Sequence, residues 1–553
     1  MAIAERLTKE LSIFPVMGRL LALRGFTTGE ECTVFFEPKL SHFHDPFLFS
    51  DMEKAVDRIM RAIRENERIS VYGDYDVDGI TATVILLKTL RNLGAQADYY
   101  LPNRLTEGYG VSQEGVRALA ELGTRLIITV DCGIHANEEV DLAKSLGIDT
   151  IITDHHEPKE QLPRAIALLN PKIVGCGYPD DTLAGVGVAL KLCHALAIKY
   201  EKPHEFWTCH LDCAAVGTAA DIVPLTGENR VIAKLGFELL KRTSNAGLKA
   251  LLTEQGLLGK PLSTREVGFQ IAPCINAVGR LGDPRRGVEL LLTADSAQAA
   301  HYARELKAVN IERRAIDQAM QEEAFTWVEQ HWNPQEDFAI VIWRENWHCG
   351  VLGIVASKVV ERYHRPTLLL SITNDVARGS GRSVPALHLH KALTECNDLL
   401  EDFGGHAAAA GMTIKAKNLD AFRLSFNAIV KSRVSMDEMA PRIYADTIIG
   451  MKDCNYPMFN FIKRMEPFGP GNSRPLFLCR ELKNKYDPRI LKEKHLKMTV
   501  SENGHAMDAI GFNLAHHFQA IKNSRGFSMV FSLEENEWNG KKTLQMNIRG
   551  VEV

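Results

Sequence analysis

Between residues 69 and 156 the chain alternates apolar runs too short for globular helices with stretches of helical periodicity: ISVYGD, GITATVILLKTLRNLG, ADYYL, RLIITVD and DTIITD. Strands that read as continuous apolar runs are those buried on both faces, and their alternation with helices predicts right-handed crossovers and a doubly wound parallel sheet. Acid and histidine residues gather at the C-terminal ends of these runs, as DYDVDG at 74–79, Asp131, and DHH at 154–156. Open α/β sheets bind their ligands along that edge.

At 553 residues the chain exceeds one hydrophobic core several times over, so further domains are expected. An extension over 1–50 precedes the α/β domain at 51–293, which includes helices at 183–200 and 228–242. An Ala-, Glu- and Arg-rich stretch at 294–334 predicts a long connecting helix, and a second, smaller α/β pattern follows over 335–435. From 436 to 553 the chain turns to short β-like runs with Asn539-Gly540 between the last two, a hairpin signal, and a small barrel of OB type is the leading expectation.

Apolar residues at 45% and charged residues at 24% exclude fibrous and disordered classes. Basic and acidic residues, 65 against 69, leave a formal charge of −4, so any polyanion site must be local. One such place is 480–497, where Arg480, Lys483, Lys485, Arg489, Lys492, Lys494 and Lys497 face Glu481, Asp487 and Glu493 in sequence. Glu5, Lys9, Glu10 and Arg19 interrupt any apolar segment of a signal peptide, and no long uncharged run predicts a membrane span. The 11 cysteines, odd in number and without a CxxC pair, read as reduced buried thiols of a cytoplasmic protein.

Asp74, Asp76 and Asp78 sit on a strand-to-helix turn, where alternate side chains of an extended backbone point at one site. Such acids repel one another unless a cation is bound, although they also suit a helix N-terminus. Asp131 ends a strand, Asp154-His155-His156 ends the next, and Asp221 lies in the apolar stretch AAVGTAADIVPL, where a carboxylate is expensive to bury without a partner. Together these oxygens and imidazoles suit Mn²⁺ or Mg²⁺ better than a thiol-rich metal site. A bridging carboxylate can hold two ions ~3.5–4 Å apart, the arrangement that supports in-line displacement at phosphorus.

In this order DYDVDG, VDCG, TDHH, VGTAAD and GGHAAAAG resemble the signature of the DHH phosphoesterase superfamily. LPNRLTEGYG at 101–110, INAVGRLGDP at 275–284, GSGRS at 379–383, MEPFGPGN at 465–472 and NEWNG at 536–540 narrow the resemblance to the RecJ exonucleases, from about residue 18 to the C-terminus. Val77, where relatives often carry a smaller residue, departs from the pattern without touching a carboxylate.

The resemblance implies a bacterial, cytoplasmic exonuclease that degrades single-stranded DNA from 5′ ends to mononucleotides in repair and recombination. It implies that Asp76, Asp78, Asp131, His155 and Asp221 ligate two metal ions, Mn²⁺ before Mg²⁺, with Asp131 bridging and Asp74 a further ligand or an acid behind them. Asp74, Asp131 and His156 would stand closest to the chemistry, His156 stabilising charge that develops on the scissile phosphate. Arg104, Asn276, Arg280, Ser380, Arg382 and His406, with Ser383 nearby, would grip the strand, some of them at its 5′ phosphate. The barrel would bind single strands through its basic run and aromatic platforms such as Phe477 or Tyr486. A monomer, a single-strand binding protein and a RecQ-type helicase as partners, and no membrane complete the expectation. The alternatives are a DHH phosphodiesterase for short oligonucleotides or cyclic dinucleotides, an inorganic pyrophosphatase, and an inactive DNA-binding scaffold. The first two are generally shorter and lack the barrel; the scaffold would have lost ligands that are all present here.

Overall fold

The computed structural model describes residues 2–103, 107–108 and 110–553. β1 (Arg68–Gly73), β2 (Gln96–Tyr100), β3 (Thr124–Val130), β4 (Asp149–Thr153) and β5 (Ala167–Leu169) form an all-parallel sheet in the order β2-β1-β3-β4-β5. Both faces are covered, which explains the continuous apolar strands. Val71 and Ile128 point into the core beneath the helices Met52–Arg64, Val77–Asn92 and Gly185–Lys199. Tyr72 and Ile127 point the other way, against the helices Gln113–Glu121 and Asn137–Ser145. Strand order reverses between β1 and β3, so the loops leaving their C-terminal ends diverge and open a crevice.

A helix of 36 residues, Ser296–His331, capped by the Asp295 side chain on Gln298 N, leads away from this domain. Its early Ala303 and Leu306 belong to the first core, and its later Met320, Ala324 and Val328 lie under a second sheet. That sheet contains β6 (Ile340–Glu345), β7 (Thr367–Thr373), β8 (Val376–Arg382), β9 (Asp402–Gly405) and β10 (Ala409–Lys415) in the order β6-β7-β8-β10-β9. Only β6 and β7 run parallel, joined through the helix Leu352–Tyr363.

The C-terminal part is a seven-stranded barrel of β11 (Thr447–Ile448), β12 (Phe477–Asn484), β13 (Arg489–Leu491), β14 (His495–Glu502), β15 (His505–Gly511), β16 (Phe527–Trp538) and β17 (Lys541–Glu552). Pairing of β12 with β14 closes it. Asn539 and Gly540 both take left-handed backbone angles, φ 49° and 74°, the conformation an Asn-Gly hairpin turn supplies. Phe477 is fully buried in the barrel core against Phe531, so it cannot stack a DNA base; only Tyr486, 63% exposed, remains of the two expected platforms.

The first helices, Ala2–Glu10, Pro15–Leu23 and Gly29–Phe36, share that core through Leu7, Leu20, Leu21 and Phe36, so the chain's two ends pack as one body. Arg230, on the helix Gly227–Leu240 of the first domain, fastens them to it. Its guanidinium donates to Phe35 O at 2.7 Å, Glu466 O at 3.1 Å and Pro467 O at 3.3 Å, and lies 3.7 Å from the centre of the Phe35 ring. No helix among the described residues is long and apolar enough to cross a membrane. All 11 cysteines are free, and all but Cys209 and Cys349 are buried.

Candidate active site

The turn after β1 makes the first wall of the crevice. Asp76 is the N-cap of the helix Val77–Asn92, its Oδ1 accepting from Asp78 N and Gly79 N. Asp78 is held from outside by the N-terminus of the helix Gly185–Lys199, where Gly185 N (2.7 Å) and Val186 N (2.9 Å) each donate to one carboxylate oxygen. That arrangement suits an anion, because the first N–H groups of a helix have no partner of their own. Asp131 follows β3 with a left-handed φ of 60°, a conformation aspartate tolerates better than most residues. Asp221 ends the helix Leu211–Asp221, and the next residue, Ile222, also turns left-handed at φ 65°.

These segments converge. His155 Nε2 lies 3.1 Å from Asp131 Oδ1, 3.6 Å from Asp221 Oδ2 and 4.0 Å from Asp78 Oδ2. Ligand atoms meet within 4.8 Å of one another in three overlapping groups: Asp74, Asp76 and Asp131; Asp78, His155 and Asp221; and Asp131, His155 and His156. Asp131 and His155 each belong to two of them, so every expected metal ligand stands in one constellation.

Glycines make room for it. A Cβ at Gly185 would collide with Asp131 Oδ1, one at Gly217 would come within 2.9 Å of Asp78 Oδ1, and one at Gly79 within 2.7 Å of the Asp74 side chain.

Burial pushes the Asp78 and Asp131 carboxyls well above their ordinary range, and their negative neighbours push the same way. Asp76 rises for the same two causes, burial first and then Asp221. Packing like charges away from water is unfavourable without a counter-charge. A divalent cation fits: carboxylate oxygens with an imidazole are the donor set of a hard or borderline ion, and the clustered negative charge supplies the attraction.

Asp154 does something else. Its Oδ1 accepts from His155 N, His156 N and His156 Nδ1, and its Oδ2 accepts from Ile134 N at 2.9 Å. Burial opposes its charge, yet these donors hold its carboxyl at about 2. It is therefore an anion that orients His156. The DHH motif marks Asp154 in the sequence, but nothing local tells a ligand from a carboxylate that aims its neighbour.

The second sheet supplies the facing wall. His406, after β9, lines a cleft of about 1020 Å³ with His156, His135, Lys159, His390 and Phe403. His135, Lys159 and His390 belong to no motif, so the sequence offered no signal for them. Arg382 Nη1 donates to Ser380 Oγ at 3.1 Å on β8. Both lie against the first turn of the helix Leu352–Tyr363, where a Cβ at Gly353 would come within 2.6 Å of Arg382 Nη2 and 2.9 Å of Ser380 Oγ. A guanidinium, a hydroxyl and a helix N-terminus are groups whose chemistry suits an anion. Ser383 Oγ instead donates to Leu387 O within its own loop.

One helix, Ala272–Leu281, touches both walls. Asn276 Oδ1 accepts from Val77 N at 3.1 Å, Gly279 abuts the Tyr75 carbonyl, and Arg280 Nη1 donates to Gly350 O at 2.9 Å. Asn276, expected at the strand, has its Oδ1 engaged with the turn that carries Asp74, Asp76 and Asp78. Arg104 lies outside the described residues.

Residues 68–218 match the model of the DHH family N-terminal domain, residues 336–432 that of the DHHA1 domain, and residues 445–550 that of the RecJ OB domain. The chain is 42% identical to the single-stranded-DNA-specific exonuclease RecJ of Bacillus subtilis (strain 168), covering 99% of this chain and 69% of that protein. It is 34% identical to RecJ of Escherichia coli (strain K12), covering 97% and 96%. Among solved structures, RecJ of Thermus thermophilus in complex with Mn²⁺ superposes with a TM-score of 0.86 at 29% identity, over all of this chain and 78% of that one.

Proposed function

Because the chain belongs to the RecJ family of single-stranded-DNA-specific exonucleases, we propose that it hydrolyses single-stranded DNA from the 5′ end, releasing mononucleotides, with two divalent ions, Mn²⁺ preferred, in DNA repair and recombination. The observation that carries this reading is the convergence of Asp74, Asp76, Asp78, Asp131, His155 and Asp221 opposite the separate anion-suited groups at Ser380 and Arg382, with one helix in contact with both.

Bound there, the ions would supply Lewis-acid activation of the attacking water and neutralise charge developing on the phosphate. The chain's own residues do the rest. Ser380, Arg382 and the helix end behind them grip a terminal phosphate, whose second negative charge a guanidinium favours over an internal diester's single one. His156, its Nδ1 proton committed to Asp154, turns Nε2 toward the cleft, where it hydrogen-bonds the scissile phosphate as negative charge grows. His406 closes on the strand from the opposite wall. A cleft closed by two walls would take a single strand and exclude a duplex by sterics. The exposed basic run of β12–β14 and Tyr486 extend the track with charge and a stacking face.

A monomeric state, a cytoplasmic setting, and docking of a single-strand binding protein and a RecQ-type helicase belong to the same proposal. Gel filtration and co-purification test the assembly claims.

The deciding experiment incubates the protein with Mn²⁺ and single strands labelled at the 5′ or the 3′ end, with duplex as control. Immediate mononucleotide release from the 5′ label, with the 3′ label surviving until late, is the expected result. Release from the 3′ label first would reverse the polarity, and binding without hydrolysis would make the chain a scaffold.

A further inference from the structure

Asn229 belongs to none of the groups that meet at the crevice, yet it is fully buried and uses both ends of its amide on the backbone that carries them. Its Nδ2 donates to Thr182 O at 2.6 Å and Pro224 O at 3.1 Å, and its Oδ1 accepts from Ala184 N at 3.3 Å. The pattern fixes the orientation of the amide, since reversing it would set the oxygen against two carbonyls. Asn229 is itself held, because the N–H of Glu228 donates to Asp180 Oδ2 at 2.8 Å and the Glu228 carboxylate pairs with the buried Lys191 at 2.9 Å.

The two segments it joins are the ones that place metal-binding groups. Ala184 immediately precedes Gly185 and Val186, whose N–H groups clamp Asp78, and Gly185 also sets the closest approach to Asp131. Pro224 lies three residues beyond Asp221, across the left-handed turn at Ile222. One side chain therefore bonds both the segment whose next residues clamp Asp78 and the segment that follows Asp221, two of the three residues of a single ligand group.

We propose that Asn229 is a positioning residue for the metal centre, tying the Asp78 clamp to the Asp221 turn and so setting the affinity of that site for a divalent ion. This rests on the metal-dependent reading above. Residues that orient metal ligands from behind typically change metal affinity ~10–100-fold when removed.

The test titrates Mn²⁺ into metal-stripped full-length protein, following free Mn²⁺ by electron paramagnetic resonance, for wild type, Asn229→Asp, Asn229→Ser and Asp78→Asn. Melting of each metal-free protein and kcat and KM on single-stranded DNA are read alongside. Both Asn229 variants are expected to melt cooperatively, to bind Mn²⁺ ~10–100-fold more weakly, and to regain kcat at saturating Mn²⁺ with KM for DNA unchanged. A folded Asn229 variant with wild-type Mn²⁺ affinity overturns the proposal while Asp78→Asn binds weakly. Failure of both Asn229 variants to fold would make the residue a core element only, and would overturn it too. Wild-type affinity in Asp78→Asn itself would bring down the metal reading.

Discussion

His156 Nδ1 lies 2.7 Å from Asp154 Oδ1, and the same carboxylate holds the backbone N–H groups of residues 155 and 156. Burial works against a charged imidazole at this place, but the Asp154 bond and charge raise His156 above its ordinary value. A hydrogen-bonded pair of this kind fixes both the direction and the protonation of a ring that lines the cleft.

Asp154→Asn should keep the shape but lose the negative charge, and it sets an amide NH2 against either the His156 ring or the Ile134 N–H. The expected outcome is a fall in kcat of about 10²–10⁴-fold with KM for single-stranded DNA nearly unchanged. Steady-state kinetics measure it, and a variant with wild-type kcat would remove Asp154 from the orienting role.

Arg382→Ala should act on the strand end. KM for 5′-phosphorylated strands is expected to rise ~10–100-fold, as one charge-assisted hydrogen bond disappears, with kcat little altered. Strands ending in a 5′ hydroxyl should respond far less. Equal losses on the two substrates would move the terminal phosphate elsewhere.

Arg230→Met should remove three hydrogen bonds from the interdomain seam, although Glu466 O keeps Lys234 Nζ and Pro467 O keeps Asn472 Nδ2. Burial already lowers this guanidinium to about 9, and its bonds to the carbonyls of Phe35, Glu466 and Pro467 are what it contributes. A loss of about 3 kcal/mol is expected, seen as a lower unfolding midpoint, with Mn²⁺ affinity retained.

Lys492→Glu with Lys494→Glu should weaken strand binding at the barrel, both side chains being exposed. Each phosphate that the barrel no longer neutralises should flatten the slope of log affinity against log salt by ~0.7. A wild-type slope in fluorescence anisotropy titrations would exclude this face from the DNA track.

Much of the architecture was legible locally. The period of the apolar runs predicts a buried parallel sheet, and the β2-β1-β3-β4-β5 sheet carries its acids at the edge where the runs end. Asn539-Gly540 marks its hairpin because only a few residues accept two successive left-handed angles. Phe477 misled for a related reason: an aromatic in a strand reads alike whether it faces groove or core, and β12 turns it inward. The grouping of ligands was expected, but not that Asp78 is clamped by the helix at 185 or that Asp221 reaches His155 from the end of another helix.

The kinds of element, the order of domains and the residue types available for metal chemistry can be read along the chain, because periodicity and motif are properties of neighbouring residues. Which carboxylates meet in the crevice and which one aims a histidine, why Asn229 and Asn276 hold backbone, and how the two chain ends close into one core follow only from packing in three dimensions. Arg24 Nη2 reaches Ser473 O across 449 residues. A buried polar group must find a partner wherever packing brings one, and a partner that far away leaves no pattern in the residues beside it.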